Sequence, residues 1–187
     1  MRIIAGTLKG RTIRTPEGQG TRPTSDRARE SLFNVLAHAD WAPGLEGARI
    51  IDAFAGSGAL GFEAISRGGA FCLFVETDAA ARGCIRDNVE AFQLFGNTRI
   101  HRRSATDLGA KPAGLGAPFD LVFMDPPYAQ GLVPLALGQL ATGQWLTPDA
   151  LVVAETGSHE PAPVAEGWAT QDERIYGAAR VSFLRKD

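Results

Sequence analysis

The sequence is poor in the residues that form metal centres, disulfide frameworks and membrane spans. It contains 2 cysteines and 3 histidines among 187 residues, and these residues share no ligand-like spacing. We therefore expect no metal site and no disulfide framework. No stretch reaches the roughly 18 apolar residues of a membrane helix, and the first residues lack the apolar run of a signal peptide. These features predict a cytoplasmic protein without a membrane partner, and we expect a monomer.

Net charge is also small, but it is unevenly distributed. The formal net charge is only −2. Residues 1–30, however, hold seven Lys or Arg against three Asp or Glu, a net of +4, so the other 157 residues carry −6. Such asymmetry indicates a basic arm that meets phosphate groups, with a solvated basic edge as the alternative. The candidate phosphate-binding residues of this arm are Lys9, Arg11, Arg22, Thr24 and Arg27.

Apolar patterns predict strands that alternate with helices along most of the chain. Such alternation calls for a parallel sheet with right-handed crossovers, and the last two strands, which turn at Gly177, form an antiparallel pair. We predict one α/β domain over residues 1–187, with a basic extension at 1–40, containing a hairpin at 2–14, and a core at 48–187. The predicted strands are 49–54, 71–76, 98–102, 119–125, 151–154, 169–176 and 179–185, and the predicted helices are 26–39, 58–67, 78–95 (ended by Gly96) and 132–140.

One predicted strand has an unusually rigid end. Residues 119–124 are mostly apolar and lead into Asp125-Pro126-Pro127-Tyr128. Two prolines cannot donate to a sheet ladder, so the strand stops there, and their fixed φ stiffens the turn. A ring stacked on Tyr128 could donate its amino group to the Asp125 carboxylate and to a backbone carbonyl near Pro126. The tetrapeptide therefore predicts a site for a nitrogen nucleophile, and a merely proline-terminated strand is the alternative.

A glycine-rich loop follows the first predicted strand. It contains G-x-G-x-x-G at Gly56, Gly58 and Gly61, and Glu76 ends the next strand 20 residues beyond Gly56. Glycines let the backbone approach a ligand, and a carboxylate at a strand end can accept ribose hydroxyls. This pattern fits a nicotinamide dinucleotide equally well. Asp52 favours another cofactor, because a carboxylate at the end of the first strand suits the amino group of S-adenosylmethionine and needs a cation or N–H donors when buried.

Three acidic residues are predicted to meet at one edge of the sheet. Asp52, Glu76 and Asp125 end the first, second and fourth strands. A cofactor across the first two strands would aim its methyl group at the corner formed by the fourth. Positioning alone can remove several kcal/mol from a bimolecular barrier. Because the amine loses its proton readily once it is methylated, we predict no catalytic base tuned to neutral pH.

Three stretches resemble the bacterial 16S ribosomal RNA guanine-N2 methyltransferases, a family of class I S-adenosylmethionine-dependent enzymes with an Asp-Pro-Pro-Tyr motif. The stretches are 22–36 (RPTSDRARESLFNVL), 52–67 (DAFAGSGALGFEAISR) and 125–128 (DPPY). Their order covers nearly the whole chain and includes Tyr176-Gly177 near the end. The Arg-Pro-Thr stretch discriminates most, because Asp-Pro-Pro-Tyr also occurs in adenine-N6 enzymes.

The resemblance implies a fold, a cofactor and a substrate. The implied fold is a Rossmann-like, seven-stranded, mostly parallel sheet with helices on both faces. The implied reaction methylates the N2 amine of a guanine of the guanine-966 type in 16S rRNA, within an assembled or assembling small subunit. Many relatives carry an aspartate in the neighbourhood of Ser104, where this chain has a serine. The resemblance implies that the backbone around Ser104 and Ala105 faces the adenine. The implied cofactor residues are Asp52, Phe54, Gly56, Gly58, Glu76, Thr77, Ser104, Ala105 and Asp125; the implied catalytic residues are Asp125, Pro126, Pro127 and Tyr128, the last stacking on a flipped guanine.

Other functions fit parts of the same pattern. An adenine-N6 methyltransferase acting on RNA or DNA would use the same Asp-Pro-Pro-Tyr corner. A catalytically silent RNA-binding or assembly factor could retain the fold, and Asp125→Ala would then change nothing. A nicotinamide oxidoreductase fits the glycine-rich loop alone.

Overall fold

The computed structural model describes residues 1–18 and 26–187. Within these residues it contains seven strands in one sheet and four α helices. The strands are β1 (Arg49–Ala53), β2 (Phe71–Val75), β3 (Thr98–His101), β4 (Phe119–Met124), β5 (Leu146–Gly157), β6 (Trp168–Tyr176) and β7 (Ala179–Lys186). The helices are α1 (Asp26–His38), α2 (Ala59–Ser66), α3 (Ala79–Phe92) and α4 (Leu132–Thr142). No helix in this described part of the chain combines the length and apolar content that crossing a membrane requires.

The sheet has the mostly parallel topology that the sequence predicts. Its strand order is β3-β2-β1-β4-β5-β7-β6. Strands β1 to β5 pair in parallel, whereas β7 pairs antiparallel with both β5 and β6. Strand β1 has β2 on one side and β4 on the other, so the strand order reverses beside β1. Ligands of open α/β sheets bind at the carboxyl ends of the strands at such a reversal.

Helices cover both faces of the sheet, as predicted. On one face, α1 places the Phe33 ring 5.5 Å from that of Phe123 in β4, and α2 places the Phe62 ring 4.7 Å from that of Phe74 in β2. On the other face, Val122 of β4 packs in a separate buried cluster with α4. Burying each such large apolar side chain contributes roughly 1.5–3 kcal/mol. These two clusters fix the sheet between its helices and hold the strand ends in place.

The largest differences between predicted and observed element boundaries are in β5 and α3. Strand β5 starts at Leu146 rather than at residue 151. Helix α3 ends at Phe92, not near residue 95 with Gly96 as its stop. Gln93 takes the left-handed conformation (φ 56°) that ends the helix, and Phe95 is 68% exposed instead of sharing the buried face. Gly96 was the wrong choice because a non-glycine residue adopts the left-handed conformation earlier.

The N-terminal segment forms a less regular hairpin than predicted. Its two arms, within residues 2–14, pair in a single antiparallel bridge between Arg2 and Thr12. Ile3 and Ile13 are nonetheless buried in the same core cluster as α1, α2 and α3. Two apolar anchors therefore hold a segment that has little sheet structure of its own.

Helix α2 also holds this segment by hydrogen bonds. The Glu63 carboxylate accepts the N–H groups of Ile4 and Ala5 at 2.9 and 3.1 Å. The Ser66 hydroxyl donates to the Ala5 carbonyl at 2.6 Å. At Gly6 a Cβ would lie 1.9 Å from the Ser66 carbonyl oxygen, so glycine alone fits this close approach.

Candidate active site

A cavity of about 570 Å³ opens at the carboxyl edge of β1, β2 and β4. The register places Ala53 beside both Val75 and Met124, so the residues that follow these strands reach one edge. No three His, Cys, Asp or Glu side chains of residues 1–18 and 26–187 are grouped to hold a metal ion. The predicted cofactor residues that line the cavity are Asp52, Phe54, Gly56, Glu76, Thr77, Ser104, Ala105 and Asp125.

Glu76 joins the glycine-rich loop to the end of β2. Its Oε2 accepts the Gly56 N–H at 2.7 Å, and its Oε1 accepts the Asp78 N–H at 2.9 Å. Phe54 and Gly56 both have positive φ values, 57° and 58°, which turn the chain sharply after β1. Each carboxylate oxygen has a further lone pair. Glu76 can therefore hold the loop and still accept hydroxyl groups of a ligand.

The other two glycines of the loop motif serve packing. Gly58 does not line the cavity; a Cβ there would lie 2.7 Å from the Phe62 ring. At Gly61 a Cβ would lie 2.5 Å from the Phe74 ring and 2.6 Å from the Cys72 sulfur. These positions let α2 approach β2 closely, which is the known use of the last glycine in such loops. The sequence pattern alone does not separate these two roles.

Asp52 is a buried carboxylate in the floor of the cavity. It is 2% exposed, and its Oδ2 accepts the Gly61 N–H at 3.0 Å. Burial raises the pKa of Asp52 well above its ordinary value; the Gly61 hydrogen bond opposes this rise, and the charges of Asp125 and Glu76 add to it. The three acids are therefore close enough to repel one another. A positively charged ligand among them would relieve that repulsion.

A second cavity, of about 400 Å³, lies beyond the Asp-Pro-Pro-Tyr corner. Asp125 lines the first cavity, whereas Pro126 and Tyr128 line the second. Pro127 and Leu132 line both cavities. The corner therefore separates a space beside the strand-end acids from a space beside the tyrosine ring.

The Tyr128 ring is fixed by Glu155, a residue near the carboxyl end of β5. The Tyr128 hydroxyl donates to Glu155 Oε1 at 2.6 Å. Met124 pairs with Ala154, so Asp125, which follows β4, stands next to Glu155 within β5. Ala129 takes a positive φ of 60°, and its N–H donates to Glu160 at 2.7 Å. Two acidic side chains thus hold the corner that the prolines stiffen.

The loop after β3 supplies a polar wall of the first cavity. The Ser104 hydroxyl lies 2.8 Å from that of Thr106 and accepts the Thr106 N–H at 3.2 Å. Ala105 between them is buried, and the exposed Arg103 also lines the cavity. The Ser104 hydroxyl is thus used within its own turn, and the backbone here is left to face a ligand.

The predicted RNA-binding residues lie away from both cavities or outside the described residues. Arg22 and Thr24 lie outside the described residues. Lys9, Arg11 and Arg27 are exposed and line neither cavity. Arg11 donates to the Ala91 carbonyl at 2.6 Å, so part of its guanidinium serves the end of α3.

Sequence reasoning missed two residues that the structure brings to the site, Arg29 and Glu155. Arg29 of α1 is 1% exposed and lines the first cavity. A sequence signal was available, because Arg29 lies three and seven residues before the apolar Leu32 and Leu36, the spacing of one helical face, and Arg27 does not. Glu155 could have been found, since it follows a predicted strand just as Asp125 does.

The fold and the strand-end site are those of a Rossmann-like methyltransferase. The solved structure of a methyltransferase from Escherichia coli has a TM-score of 0.85 and 34% identity, covering 100% of this chain and 98% of that one. A methylase structure from Haemophilus influenzae has a TM-score of 0.79 and 30% identity, covering 100% and 98%.

Sequence comparison narrows the class to one family. The model of the family described as Conserved hypothetical protein 95 matches residues 1–185. The "Ribosomal RNA small subunit methyltransferase D" of Escherichia coli K12 is 36% identical over 100% of this chain and 90% of that protein. The protein of the same name from Haemophilus influenzae is 34% identical over 95% and 89%. The chain belongs to this family of small subunit methyltransferase D proteins.

Proposed function

We propose that the protein transfers a methyl group from S-adenosylmethionine to the exocyclic N2 amine of a guanine in 16S rRNA, of the guanine-966 type. The observation that carries this proposal is the Asp125–Tyr128 corner, which stands between two cavities. One cavity has the acids that suit a cationic nucleoside cofactor, and the other has a fixed aromatic ring that suits a base. The ribosomal RNA substrate is supported by the names of the Escherichia coli and Haemophilus influenzae relatives.

The residues of the first cavity fit S-adenosylmethionine. Glu76 is positioned to accept ribose hydroxyls, and Asp52 is a buried carboxylate whose pKa is raised chiefly by burial. The turn at Ser104 and Ala105 presents backbone to the adenine. When bound, this cofactor supplies a methyl group that its positive sulfur makes electrophilic. Binding and orientation are then the main tasks left to the protein.

Asp125 and Tyr128 orient the attacking amine. The Asp125 carboxylate accepts a hydrogen bond from an N–H of the base, and the Tyr128 ring stacks on the base that has left its helix. This hydrogen bond directs the nitrogen lone pair away from the carboxylate and towards the first cavity. Because the amine becomes acidic after it is methylated, its proton can pass to Asp125 or to water. We therefore expect no bell-shaped pH profile with a base near neutrality.

Guanine is favoured over adenine by two neighbouring carboxylates, Asp125 after β4 and Glu155 within β5. The edge of guanine presents N1–H and N2–H donors, whereas that of adenine presents N6–H donors beside the N1 acceptor. Enzymes read an extruded base by hydrogen bonds to this edge. Asp125 and Glu155 are both acceptors, so they match guanine and would put a negative charge against adenine N1. Glu155 can hold Tyr128 and still accept, because a carboxylate has about four lone-pair sites.

We propose residues 1–40 and 48–187 as one catalytic unit that docks on a ribosomal particle. The N-terminal segment is attached to α2 through Glu63 and Ser66. Lys9 and Arg27 are exposed and can contact phosphates outside the cavities. A folded ribosomal particle presents a defined shape around the target base. A protein of this size can dock on that shape without additional RNA-recognition domains.

The test is methyl transfer from labelled S-adenosylmethionine to unmodified small subunits and to protein-free 16S rRNA, followed by nucleoside identification. We expect N2-methylguanosine, with more product from the particle. N6-methyladenosine would show the adenine enzyme instead. An absence of product from both substrates, with cofactor binding intact, would support a silent RNA-binding factor. Asp125→Ala protein prepared in parallel controls for contaminating enzymes.

A further inference from the structure

We propose that Arg29 binds the carboxylate at the amino-acid end of the cofactor, opposite Asp52, which takes the ammonium group. This inference rests on the proposed cofactor. It assigns a residue of α1 to the first cavity, whereas the basic residues of this region are otherwise candidates for RNA contacts.

Arg29 is buried, but only part of its guanidinium is hydrogen-bonded. The side chain is 1% exposed. Its Nη2 donates to the Arg2 carbonyl and to Asp26 Oδ1, both at 2.8 Å. Its Nε and Nη1 have no hydrogen-bond partner among residues 1–18 and 26–187. Buried donors of a charged group are costly to leave unsatisfied, so these two nitrogens indicate an acceptor that belongs to a ligand.

Glu63 does not fill this role. Its Oε2 lies 4.0 Å from Nη1, beyond hydrogen-bond distance. Its oxygens already accept the N–H groups of Ile4 and Ala5, and Arg67 Nε donates to Oε1 at 2.9 Å. Arg67 is therefore the closer ionic partner of Glu63, and Arg29 retains donors for another anion.

Arg29 also lies in a wall of the first cavity that is suitable for binding the amino-acid end of the cofactor. Phe33, one helical turn later, packs against Phe123 of β4. Phe123 therefore marks the face of β4 against which α1 packs. The cavity lining includes Arg29 together with Asp52 and Asp125. An acidic floor with one buried arginine beside it complements the paired ammonium and carboxylate of an α-amino acid.

Among the residues that the structure describes, Arg103 is the other arginine that lines this cavity, and it differs in two respects. It is exposed, and it adjoins Ser104 in the turn after β3, at the part of the cavity proposed for the adenine. If the cofactor carboxylate lay near Arg103, it would be at the β3 side of the cavity, separated by Glu76 from Asp52 of β1. Arg103→Met is therefore the matched control, since it removes the same kind of side chain from the same cavity.

The test compares binding of S-adenosylmethionine and of decarboxylated S-adenosylmethionine by calorimetry, without RNA. The second ligand keeps the sulfonium and the amine but lacks the carboxylate. We expect the wild-type protein and Arg103→Met to prefer the carboxylated ligand by about 10- to 100-fold, the usual range for hydrogen bonds to charged groups. In Arg29→Met the preference should fall to about 2-fold or less, mainly through loss of affinity for the carboxylated ligand.

Several outcomes would overturn the assignment. Equal affinity of the wild-type protein for both ligands would do so without any variant. An unchanged preference in Arg29→Met, or an equal loss for both ligands, would leave Arg29 a structural residue. If Arg29→Met does not fold, Arg29→Lys serves instead: its single ammonium should reduce the preference, and full retention would contradict the role. If the wild-type protein binds neither ligand, the proposed cofactor itself fails.

Discussion

The two cavities on either side of the Asp-Pro-Pro-Tyr corner differ in chemistry although they share a wall. The first is lined by strand-end acids, glycine-loop backbone and a buried arginine. The second is lined by prolines, Tyr128 and the apolar residues of the 161–164 segment, with Glu155 and Glu160 at its polar side. Pro127 and Leu132 border both cavities.

This difference follows from how each cavity is built. The first forms where parallel strands end together, so polar side chains and free backbone groups meet there. The second forms between a rigid turn and a loop, so it offers a ring and flat apolar surfaces. A charged cofactor suits the first cavity and a stacked base suits the second. Each substitution below should therefore affect one ligand more than the other.

The largest effect on activity is expected at Asp125, in the corner that separates the two cavities. Asp125→Ala removes the acceptor that orients the amine, and loss of one such preorganised contact lowers rates by about 10²- to 10³-fold. Single-turnover methyl transfer to small subunits would measure this loss. Calorimetry should find the affinity for S-adenosylmethionine changed much less than the rate. A rate within a few-fold of wild type would remove Asp125 from the mechanism.

Asp52→Asn should weaken cofactor binding in the first cavity while making the protein more stable. Loss of the charge opposite the ammonium group should reduce S-adenosylmethionine affinity by about 10- to 100-fold. Because the carboxylate is buried beside two other acids, its neutral replacement should raise the Tm of the free protein by about 2–6 °C at neutral pH.

The pH dependence of this stability gain is a second check. The pKa of Asp52 is raised in the folded state, so the folded protein binds this proton more tightly than the unfolded chain does. The destabilisation by Asp52 is full above the folded pKa, decreases as pH falls through it, and is absent below the unfolded value. The Tm difference between Asp52→Asn and wild type should therefore shrink towards acid pH. A difference that grows instead would contradict the assigned cause.

Tyr128 variants address the second cavity. Tyr128→Ala removes a stacking surface that contributes about 1–3 kcal/mol per base, so the KM for small subunits should rise roughly 10-fold or more. Tyr128→Phe keeps the ring but removes the hydroxyl that donates to Glu155, with an effect below about 5-fold. Neither variant should change cofactor affinity. An equal loss in both variants would show that the hydroxyl, not the stack, matters.

The smallest effect on either ligand is expected from the N-terminal segment. Gly6→Ala forces a Cβ to 1.9 Å from the Ser66 carbonyl oxygen, whereas a Cβ at Gly10, with a similar φ of 82°, meets nothing within 4 Å. Thermal unfolding should give a lower Tm for Gly6→Ala than for Gly10→Ala, by about 5 °C or more. Equal Tm values would mean that α2 does not hold this segment tightly.

The sequence predicted the first cavity better than the second. Asp52, Glu76 and Asp125 could be placed together because parallel strands end at one edge, a rule that needs no tertiary detail. The packing roles of Gly58 and Gly61 could not be separated from ligand contact, because both depend on how close α2 comes to β2. Arg29 was missed because only apolar residues were assigned to the buried face of α1, although Arg29 has the helical spacing of that face.

The second cavity depended on a loop that carries no periodic signal. Residues 161–164 contain two prolines and close the cavity from outside the sheet. The end of α3 was misjudged for a similar reason, because Gln93 adopts a left-handed conformation that glycine usually takes. Local rules gave the elements and the edge, while long-range packing decided the remaining walls.

A crystal structure with bound S-adenosylhomocysteine tests the central claim most directly. Our account predicts the ligand in the first cavity, with its ribose hydroxyls on Glu76, its amino-acid end between Asp52 and Arg29, and its sulfur facing Asp125, while the space beside Tyr128 stays open. A ligand in the second cavity, or one whose ribose lies away from Glu76, would contradict the assignment of the two cavities.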